Sequence, residues 1–534
     1  MIYLSAQPDE QYFIWQLKIF LQSLITNQNV SRDQIHILLG YDPIEGVSED
    51  TLYFIEEYGD IASIYVYKDE RPNNIYLSTL RPHIIKKHFQ QFDYLKDESI
   101  FYHDSDIAFT QKIDFSQFLK DEIWYMSDAG SYLNADYIVS KGGNDLLSEM
   151  AEIIGIDPQI VYDNNENTGG AQYIIKRTDA GFWDKVERDS ESLYDFLNKF
   201  ASNSQLENPI QSWCADMWAI LWNAYYFNFP TKISSQLDFC WPLEKDDTWN
   251  TKSIYHDAGA TLEKDSQGFN VFVKHYFHNS SPFYIDFDKD IHPETNSYKY
   301  VQFFKKIKNF HELKDSCFCI AINSDNELEL TDLLELIRLI NKVFNTYIFI
   351  LSYGKNKLLQ FDCENVVLKR IESVNENISY LNNQLFIEFQ DEFKACGIKY
   401  LIFIRPHHRF LADQILSSIL RHRSNRYQFT IPHNGELFIV PDEIVPYKIY
   451  KERHPYYTLN TKADYDFFIV NKEVFSIELE CLYIIGKNTN SKVRFELYKR
   501  YSRNIINEPL IITQKVEFSK TEEQSNMKSY IANL

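Results

Sequence analysis

Apolar runs alternate with segments of helical periodicity through the first part of the chain. The runs at 2–6, 35–39 and 61–67 predict three buried strands. Around them, 9–25 and 73–91 place their apolar residues at helical spacing, which predicts two helices. Strands that alternate with helices favour a mainly parallel sheet covered on both faces. We therefore expect an α/β fold in which ligands bind beyond the carboxyl ends of the strands.

A further apolar run, 100–102, is followed by two carboxylates, Asp104 and Asp106. Residues two apart on an extended chain lie on the same side, so both can reach one point just beyond the strand. Carboxylate oxygens suit a hard divalent cation, Mg²⁺ or Mn²⁺, which would neutralise the charge on a departing diphosphate. Most Asp-x-Asp pairs are solvated turn residues, but the hydrophobic residues on both sides of this pair favour a functional site.

Three later features add candidate chemistry. Gly169 and Gly170 precede a strand at 173–176, where they would allow a substrate close to the backbone or form an ordinary turn. Asp216 opens an aromatic-rich helix, either as an N-terminal charge favoured by the helix dipole or as a catalytic carboxylate. His256 ends a short strand and is either structural or a ligand. In chain order, these features and the Asp-x-Asp pair form a constellation.

That order resembles the GT-A fold of nucleotide-sugar glycosyltransferases, and the resemblance covers about residues 1–290. It implies a metal, Mn²⁺ or Mg²⁺, held by Asp104, Asp106 and His256. The glycine pair would then lie beside the donor sugar and the acceptor. The implied reaction moves a hexose from a nucleotide diphosphate sugar, by family analogy a UDP-sugar, to a hydroxyl of a glycan, lipid-linked or protein acceptor.

The third motif of that family is usually x-Glu-Asp, whereas this chain has Cys214-Ala215-Asp216 and keeps only the second acid. Its context, Trp213-x-x-Asp216-Met217, resembles the Trp-x-x-Glu-Met stretch of hydroxyproline and serine O-glycosyltransferases. The resemblance makes Asp216 the catalytic candidate, as a base that activates an acceptor hydroxyl or as a carboxylate that orients the sugar. Trp213 is the candidate for stacking on a sugar.

Six further residues are expected to contact the donor: residues of the first strand and of the turn after the second would flank the nucleoside, one residue of the helix at 73–91 would meet the diphosphate, and two stand beside the aspartates of the metal site. They are Ser5, Ala6, Tyr41, Arg81, His103 and Ser105.

A second series of strand and helix signals begins near residue 316. Strands are predicted at 317–322, 347–351 and 400–404, and this progression resembles a family 2 glycosyltransferase, a second GT-A module. The last strand should end in acidic metal ligands, but it is followed by Arg405-Pro406-His407-His408-Arg409. The stretch 488–493, where the family has an acidic motif, contains no acid. We expect a degenerate, non-catalytic module; the alternatives are a metal on the two histidines or arginines that clamp a diphosphate directly.

The fold expected for the whole chain is therefore α/β, with two GT-A-like (Rossmann-like) modules in tandem, each a mainly parallel sheet flanked by helices. The expected parts are a catalytic domain at 1–290, a linker at 291–315, a degenerate domain at 316–515 and a polar tail at 516–534. A homodimer through the C-terminal module is a possible assembly.

Composition narrows the class of protein further. The net charge of −22 argues against a nucleic-acid partner and against electrostatic docking to anionic lipid. No run approaches the roughly 18 uninterrupted apolar residues of a membrane span. The seven cysteines are odd in number and lack the spacing of a zinc site or disulfide framework, which favours a reducing cytoplasm. Two functions remain as alternatives: a non-catalytic carbohydrate- or partner-binding protein built from two decayed modules, and a nucleotide-sugar hydrolase or phosphatase.

Overall fold

The computed structural model describes most of the chain up to residue 423 and short strands beyond it. The described residues are 1–72, 75–244, 247–258, 264, 268–278, 281–284, 287–307, 311–356, 361, 363–372, 378–409, 412–423, 429–431, 437–440, 468–471, 503–505 and 510–513. Two segments used above, 488–493 and 516–534, lie outside these residues.

The chain divides into two compact units, Met1–Ile307 and Lys308–Leu534. The segment expected to be a linker, 291–315, differs from that expectation. It contains a helix, Asn296–Val301, within the first unit, where Tyr300 stacks on Tyr255 with 4.6 Å between the ring centroids. Aromatic side chains at this helix therefore extend the core of the first unit past the expected boundary.

The first unit alternates strands and helices. Its strands are β1 (Ile2–Pro8), β2 (Ile35–Tyr41), β3 (Ser63–Lys68), β4 (Ile100–Tyr102), β5 (Ile107–Phe109), β6 (Trp124–Asp128), β7 (Gly169–Ile175), β8 (Thr231–Ile233), β9 (Phe239–Cys240) and β10 (Ile254–His256). Its helices are α1 (Gln11–Asn27), α2 (Glu49–Tyr58), α3 (Leu80–Gln91), α4 (Gly130–Leu133), α5 (Ala135–Ile154), α6 (Pro158–Asp163), α7 (Ala180–Asn203), α8 (Ala215–Tyr226), α9 (Asp247–Thr251) and α10 (Asn296–Val301).

Seven strands form the main sheet, in the order β3-β2-β1-β4-β7-β6-β8, and β5-β10-β9 form a small second sheet. Strands β3, β2, β1 and β4 pair in parallel, β7 is antiparallel to both of its neighbours, and β8 is parallel to β6. Helices separate the first four strands in the chain, as parallel pairing requires. The mainly parallel α/β fold predicted from the sequence is confirmed.

The side chains of β1 alternate between two cores, one on each face of the main sheet. Tyr3 packs in one with Phe101 and Phe109, whereas Leu4 packs in the other with Tyr102. Because both faces are buried, the strand does not alternate between core and solvent, and its two polar residues, Ser5 and Gln7, are buried like its apolar ones.

The second unit contains another series of strands and helices. Its strands are β11 (His311–Asn323), β12 (Phe344–Tyr353), β13 (Val366–Arg370), β14 (Tyr400–Phe403), β15 (His408–Arg409), β16 (Phe429–Ile431), β17 (Leu437–Val440), β18 (Phe468–Asn471), β19 (Arg503–Ile505) and β20 (Leu510–Thr513). Its helices are α11 (Glu327–Val343), α12 (Ile378–Glu388), α13 (Gln390–Ala395) and α14 (Ala412–Arg423).

The sheets of the two units have the same spatial order of strands and the same pairing directions. The second unit has a main sheet in the order β13-β12-β11-β14-β18-β16-β19 and a small sheet β15-β20-β17. Each neighbouring pair is parallel or antiparallel as in the first unit. Strands β11, β14, β15 and β20 thus correspond to β1, β4, β5 and β10. One strand differs in chain order: β17 occupies the position of β9 but precedes β18. Each described helix of either unit is too short or too polar to cross a lipid bilayer.

Candidate active site

The end of β4 positions the Asp-x-Asp pair. The backbone amide of His103 donates to the carbonyl of Leu4 at 3.1 Å, so β4 stays paired with β1 up to the residue before Asp104. The chain then turns into β5, which begins directly after Asp106. Both carboxylates therefore lie at the carboxyl edge of the main sheet, where ligands of α/β proteins bind.

Strand β10 brings His256 to the same place, because it pairs with β5 and sets His256 opposite Ile107. Nε2 of His256 is 3.2 Å from Oδ1 of Asp106 and 3.6 Å from Oδ2 of Asp104. One ligand atom from each of the three side chains lies within 4.8 Å of the other two. Two carboxylate oxygens and an imidazole nitrogen in this arrangement can hold one divalent cation.

Two cationic side chains contact the same carboxylates. Lys274 Nζ donates to Oδ2 of Asp106, and Nη1 of Arg81 lies 2.5 Å from Oδ1 of Asp104. Burial opposes the charge of Asp106, but Lys274 and His256 outweigh it and hold the pKa of Asp106 below its usual range. Burial also opposes the charge of His256, and Asp106 outweighs it and raises the pKa of His256.

A bulge in β7 places a buried amide beside the histidine. The pairing of β7 with β6 shifts register so that Ala171 and Gln172 have no counterpart. Ala171 has a φ of 62°, a left-handed conformation that is strained for a residue other than glycine. The amide of Gln172, which is fully buried, lies 3.2 Å from Nδ1 of His256 and 3.0 Å from Oγ of Ser127.

The carboxylate of Asp216 lies behind the site. The hydroxyl of Tyr76 is 2.6 Å from Oδ1 of Asp216 and also 2.6 Å from the carbonyl oxygen of Trp213. Arg81 Nη1 lies 3.8 Å from the other carboxylate oxygen. Burial raises the pKa of Asp216, although Arg81 and Tyr76 oppose the shift. Asp216 is thus connected to the Asp104 side of the site through Arg81.

A cavity of about 920 Å³ opens over this centre, and it separates the predicted site residues into two groups. Those that line the cavity are Arg81, Asp104, Ser105, Asp106, Trp213 and His256. Those that lie outside the lining are Ser5, Ala6, Tyr41, His103, Gly169, Gly170 and Asp216.

Packing explains most of the second group. Ser5 lies inside β1 and is fully buried, whereas Gln7, nearer the carboxyl end of the strand, reaches the cavity. The ring of His103 packs against aromatic side chains of the core. A Cβ at Gly169 would lie 2.9 Å from the carbonyl oxygen of Ser127, so this glycine allows β7 to lie close to β6. Tyr41 ends β2, half-buried, away from the lining.

Several residues that sequence reasoning missed also line the cavity. Lys274 follows His256 in a segment without a clear period, and Gln16 projects from α1. Trp241 is 39% exposed and Trp213 is 59% exposed, so the cavity wall carries two accessible indole rings. The sequence did contain one signal for Trp241. Pro242 follows it directly, and because proline cannot donate a backbone hydrogen bond, the chain must leave a buried central strand at this point.

The donor atoms fit a divalent cation. Each carboxylate has one oxygen on a cationic side chain, Arg81 or Lys274, and its other oxygen facing His256. Nε2 of His256 faces these two oxygens while its Nδ1 contacts an amide, and metal-binding histidines usually have a hydrogen-bond partner at the ring nitrogen away from the metal.

Comparisons with known proteins place glycosyltransferases among similar solved structures. No protein-family model and no curated protein matches the chain. The apo form of the glycosyltransferase GlyE from Streptococcus pneumoniae is 13% identical, with 78% of this chain and 89% of that chain covered and a TM-score of 0.28. The galactosyltransferase LgtC, solved with donor and acceptor sugar analogs, is 10% identical, with 57% and 96% covered and a TM-score of 0.29. Mouse xyloside xylosyltransferase 1 is 9% identical, with 49% and 98% covered and a TM-score of 0.28. A likeness at these TM-scores carries no conclusion about function.

Proposed function

We propose that the first unit is a metal-dependent glycosyltransferase. It moves a hexose from a nucleotide diphosphate sugar, with UDP-sugars as the first donors to test, to a hydroxyl of a glycan, lipid-linked or protein acceptor. The observation that carries the proposal is the convergence of Asp104, Asp106 and His256 within 4.8 Å at the carboxyl edge of the sheet, on the wall of a large cavity. The metal identity and the sugar remain part of the proposal.

The residues around the triad suit an anionic, diphosphate-bearing ligand. A divalent cation held by Asp104, Asp106 and His256 would supply the charge that stabilises a departing nucleoside diphosphate. Lys274 and Arg81 line the same cavity and bring two further positive charges to it. Both can move from their carboxylate partners to phosphate oxygens, for which guanidinium and ammonium groups are strong donors.

We infer a role for Asp216 other than the two that the sequence left open, a base for the acceptor hydroxyl or a carboxylate that orients the sugar. It is 5% exposed and outside the cavity lining, which places its carboxylate behind the residues that face the cavity. Its contacts are to Arg81 and Tyr76, and Tyr76 also contacts the carbonyl of Trp213. We assign Asp216 as a positioning residue that holds Arg81 and, through Tyr76, the backbone of Trp213.

Nucleotide binding tests the proposal directly. The melting temperature of the full chain is measured with UDP and a panel of UDP-sugars, with and without Mn²⁺, in wild type and Asp106→Asn. A ligand that binds only the folded state raises the melting temperature. We expect a Mn²⁺-dependent rise that Asp106→Asn abolishes and that Asp93→Asn, at an exposed carboxylate, leaves unchanged. No rise with any nucleotide would overturn the proposal.

Product analysis separates transfer from hydrolysis. The donor that gives the largest rise is incubated with and without glycan acceptors, and released nucleotide is compared with glycosylated product. Release that depends on the acceptor supports a glycosyltransferase. Release at the same rate without any acceptor would make the protein a nucleotide-sugar hydrolase.

We also propose that the second unit is non-catalytic. The amide of Ile404 donates to the carbonyl of Cys319 as that of His103 does to Leu4, so Arg405 occupies the position of Asp104. Continuing in register, His407 takes the position of Asp106. The correspondence also holds in the small sheet, where His408 pairs with Ile512 as Ile107 pairs with His256.

The three metal-ligand positions of the first unit are therefore Arg405, His407 and Ile512 in the second. A guanidinium repels a divalent cation and isoleucine offers no ligand atom, so the equivalent site is lost. Titration calorimetry should give one Mn²⁺ per chain, abolished by Asp106→Asn and unaffected by His407→Ala. If wild type binds a second Mn²⁺ per chain and His407→Ala loses it, the alternative of a metal on His407 and His408 is restored. A homodimer through this unit stays a prediction.

A further inference from the structure

The hydroxyl of Ser127 lies against two acceptor positions at once. It contacts the carbonyl oxygen of Gly170 and, at 3.0 Å, Oε1 of Gln172, and all three residues are buried. A serine hydroxyl has one hydrogen and can donate to only one of them. The contact to Gly170 is the shorter, and a carbonyl oxygen cannot donate. The hydrogen of Ser127 therefore belongs to Gly170, and the atom of Gln172 that faces Ser127 must be a donor.

A half-turn of the Gln172 amide meets this requirement, because it exchanges the nitrogen and the oxygen in nearly the same positions. Nε2 then donates to Ser127, and Oε1 faces Nδ1 of His256 across the observed 3.2 Å. An acceptor at that position requires a hydrogen on Nδ1. In a neutral imidazole this leaves the lone pair on Nε2, the atom that faces Asp104 and Asp106.

The tautomer of His256 with its hydrogen on Nε2 is also stabilised by a contact in the site. The carboxylate of Asp106, 3.2 Å from Nε2, accepts a hydrogen from that nitrogen when no cation is bound. A histidine that keeps its hydrogen on Nε2 cannot ligate a metal through it. A fixed acceptor on Nδ1 is therefore what makes His256 ready to bind a cation. The strained Ala171 supports this role, since the bulge that contains it directs Gln172 towards His256.

We propose that Gln172 is a positioning residue for the metal site, which fixes His256 with its hydrogen on Nδ1 so that Nε2 can ligate a divalent cation. Gly170 and Ser127 hold the amide in the required orientation. Gln172 acts only through the histidine and lies outside the cavity lining. The inference rests on the metal site of the proposed function and adds a determinant of its affinity.

The test is the dissociation constant of Mn²⁺, measured by titration calorimetry and by the electron paramagnetic resonance signal of free Mn²⁺. Gln172→Met keeps the volume and removes the acceptor, and we expect affinity about 10- to 100-fold weaker, the usual effect of losing an outer partner of a metal-binding histidine. Gln172→Glu keeps an acceptor on Nδ1, and the Ser127 hydroxyl can turn from the Gly170 carbonyl to donate to the new carboxylate, so we expect it to retain the wild-type affinity or exceed it. The control is Gln28→Met, at a buried amide that contacts the Gln111 carbonyl outside the cavity.

The outcomes separate this inference from the proposed function. If the wild type binds no Mn²⁺, the metal site and the proposed function are both overturned. If it binds Mn²⁺ and Gln172→Met binds equally well, only the role of Gln172 is overturned. If Gln172→Glu is as weak as Gln172→Met, the amide is merely structural, which also overturns the inference. Should Gln172→Met fail to fold in a thermal melt, Gln172→Leu replaces it with the same expectations.

Discussion

Lys274 donates to Oδ2 of Asp106, the carboxylate oxygen that does not face His256. The contact fixes the orientation of the carboxylate and at the same time places a positive charge beside the predicted cation. Lys274 also lines the cavity, so an anionic ligand can reach its ammonium group. Lys274 therefore opposes binding of the cation and favours binding of an anionic ligand.

Replacing this lysine should change the two affinities in opposite directions. In Lys274→Met, we expect Mn²⁺ without nucleotide to bind several-fold more tightly, because a like charge has been removed from the site. We expect UDP at saturating Mn²⁺ to bind about 10-fold more weakly, the loss of one charged hydrogen bond. Titration calorimetry measures both constants.

The control for this experiment is Lys305→Met, since Lys305 pairs with the exposed Asp288 in another part of the unit. It should change neither constant. Weaker binding of both Mn²⁺ and UDP in Lys274→Met would contradict the opposing effects and would indicate a general loss of structure at the site.

Tyr76→Phe should destabilise the first unit. The variant removes the hydroxyl that contacts the buried carboxylate of Asp216 and the carbonyl of Trp213. A buried charged acceptor without its donor costs about 2 kcal/mol of the free energy of unfolding. All eight tryptophans lie between residues 15 and 249, so urea denaturation followed by tryptophan fluorescence reports on this unit.

Tyr162→Phe is the matched control, because its hydroxyl contacts Asn144 at the surface. We expect its effect to stay within about 0.5 kcal/mol, as for most surface substitutions. Equal losses in the two variants would show that the Tyr76–Asp216 contact has no special contribution.

Two buried histidines should make the first unit sensitive to acid. Nδ1 of His36 is 2.8 Å from Nε2 of His88, and Nδ1 of His88 is 2.7 Å from the hydroxyl of Tyr67. Nε2 of His36 faces the carbonyl of Asp33 at 3.2 Å and must donate to it. When the Tyr67 hydroxyl donates to His88, each ring has one donor and one acceptor nitrogen, so the chain of contacts is satisfied with both histidines neutral.

Burial lowers the pKa of His36 and lowers that of His88 to about 3. The unfolded chain therefore binds more protons than the folded one below pH 6.5, and stability is lost as the pH falls. Each histidine contributes a slope of about 1.4 kcal/mol per pH unit until its folded pKa is reached. We expect the free energy of unfolding to fall steeply between about pH 6.5 and 5 in wild type and less in the double variant His36→Leu/His88→Leu. Identical slopes would rule out this pair as the source.

Replacing either exposed indole of the cavity wall should weaken binding of the acceptor and leave binding of the donor nucleotide unchanged. If the proposed transfer is correct, Trp213→Ala and Trp241→Ala should each raise the KM for a glycan acceptor several-fold, because an indole offers a large flat apolar face with little entropy to lose. The dissociation constant of UDP with Mn²⁺ should stay within about twofold. Trp213→Phe, which keeps a ring, should restore part of the loss. A weakening of UDP binding instead would move both residues to the donor side.

Local sequence signals were enough to predict some parts of the site but not others. Asp104 and Asp106 follow directly from an apolar run, so their common position needed only the geometry of one strand end. His256 entered through the order of motifs, and β10 brings it to Asp106. Gln172 has no local signal, because a bulge defined by the pairing of β7 with β6 directs its amide to the histidine.

The predictions for the donor-binding residues show a related limit. Ser5 and Ala6 belong to the expected strand, but the cavity begins beside Gln7, and a shift of this size depends on where the strand ends. The parallel sheets of both units were predictable because alternation of apolar and helical segments extends over many residues. The spatial order of the strands within each sheet was not predictable from periodicity, because pairing between distant segments produces no periodic pattern in the sequence.

The early position of β17 has a consequence for the history of the chain. An alignment that keeps residues in order can superpose nine of the ten described strands of one unit on the other, and β17 must be left out. If the two halves descend from one duplicated gene, one of the two copies has since changed the segment that forms the third strand of its small sheet. A comparison that aligns the two halves in chain order would miss part of this relationship, whereas a comparison of their strand pairing detects it.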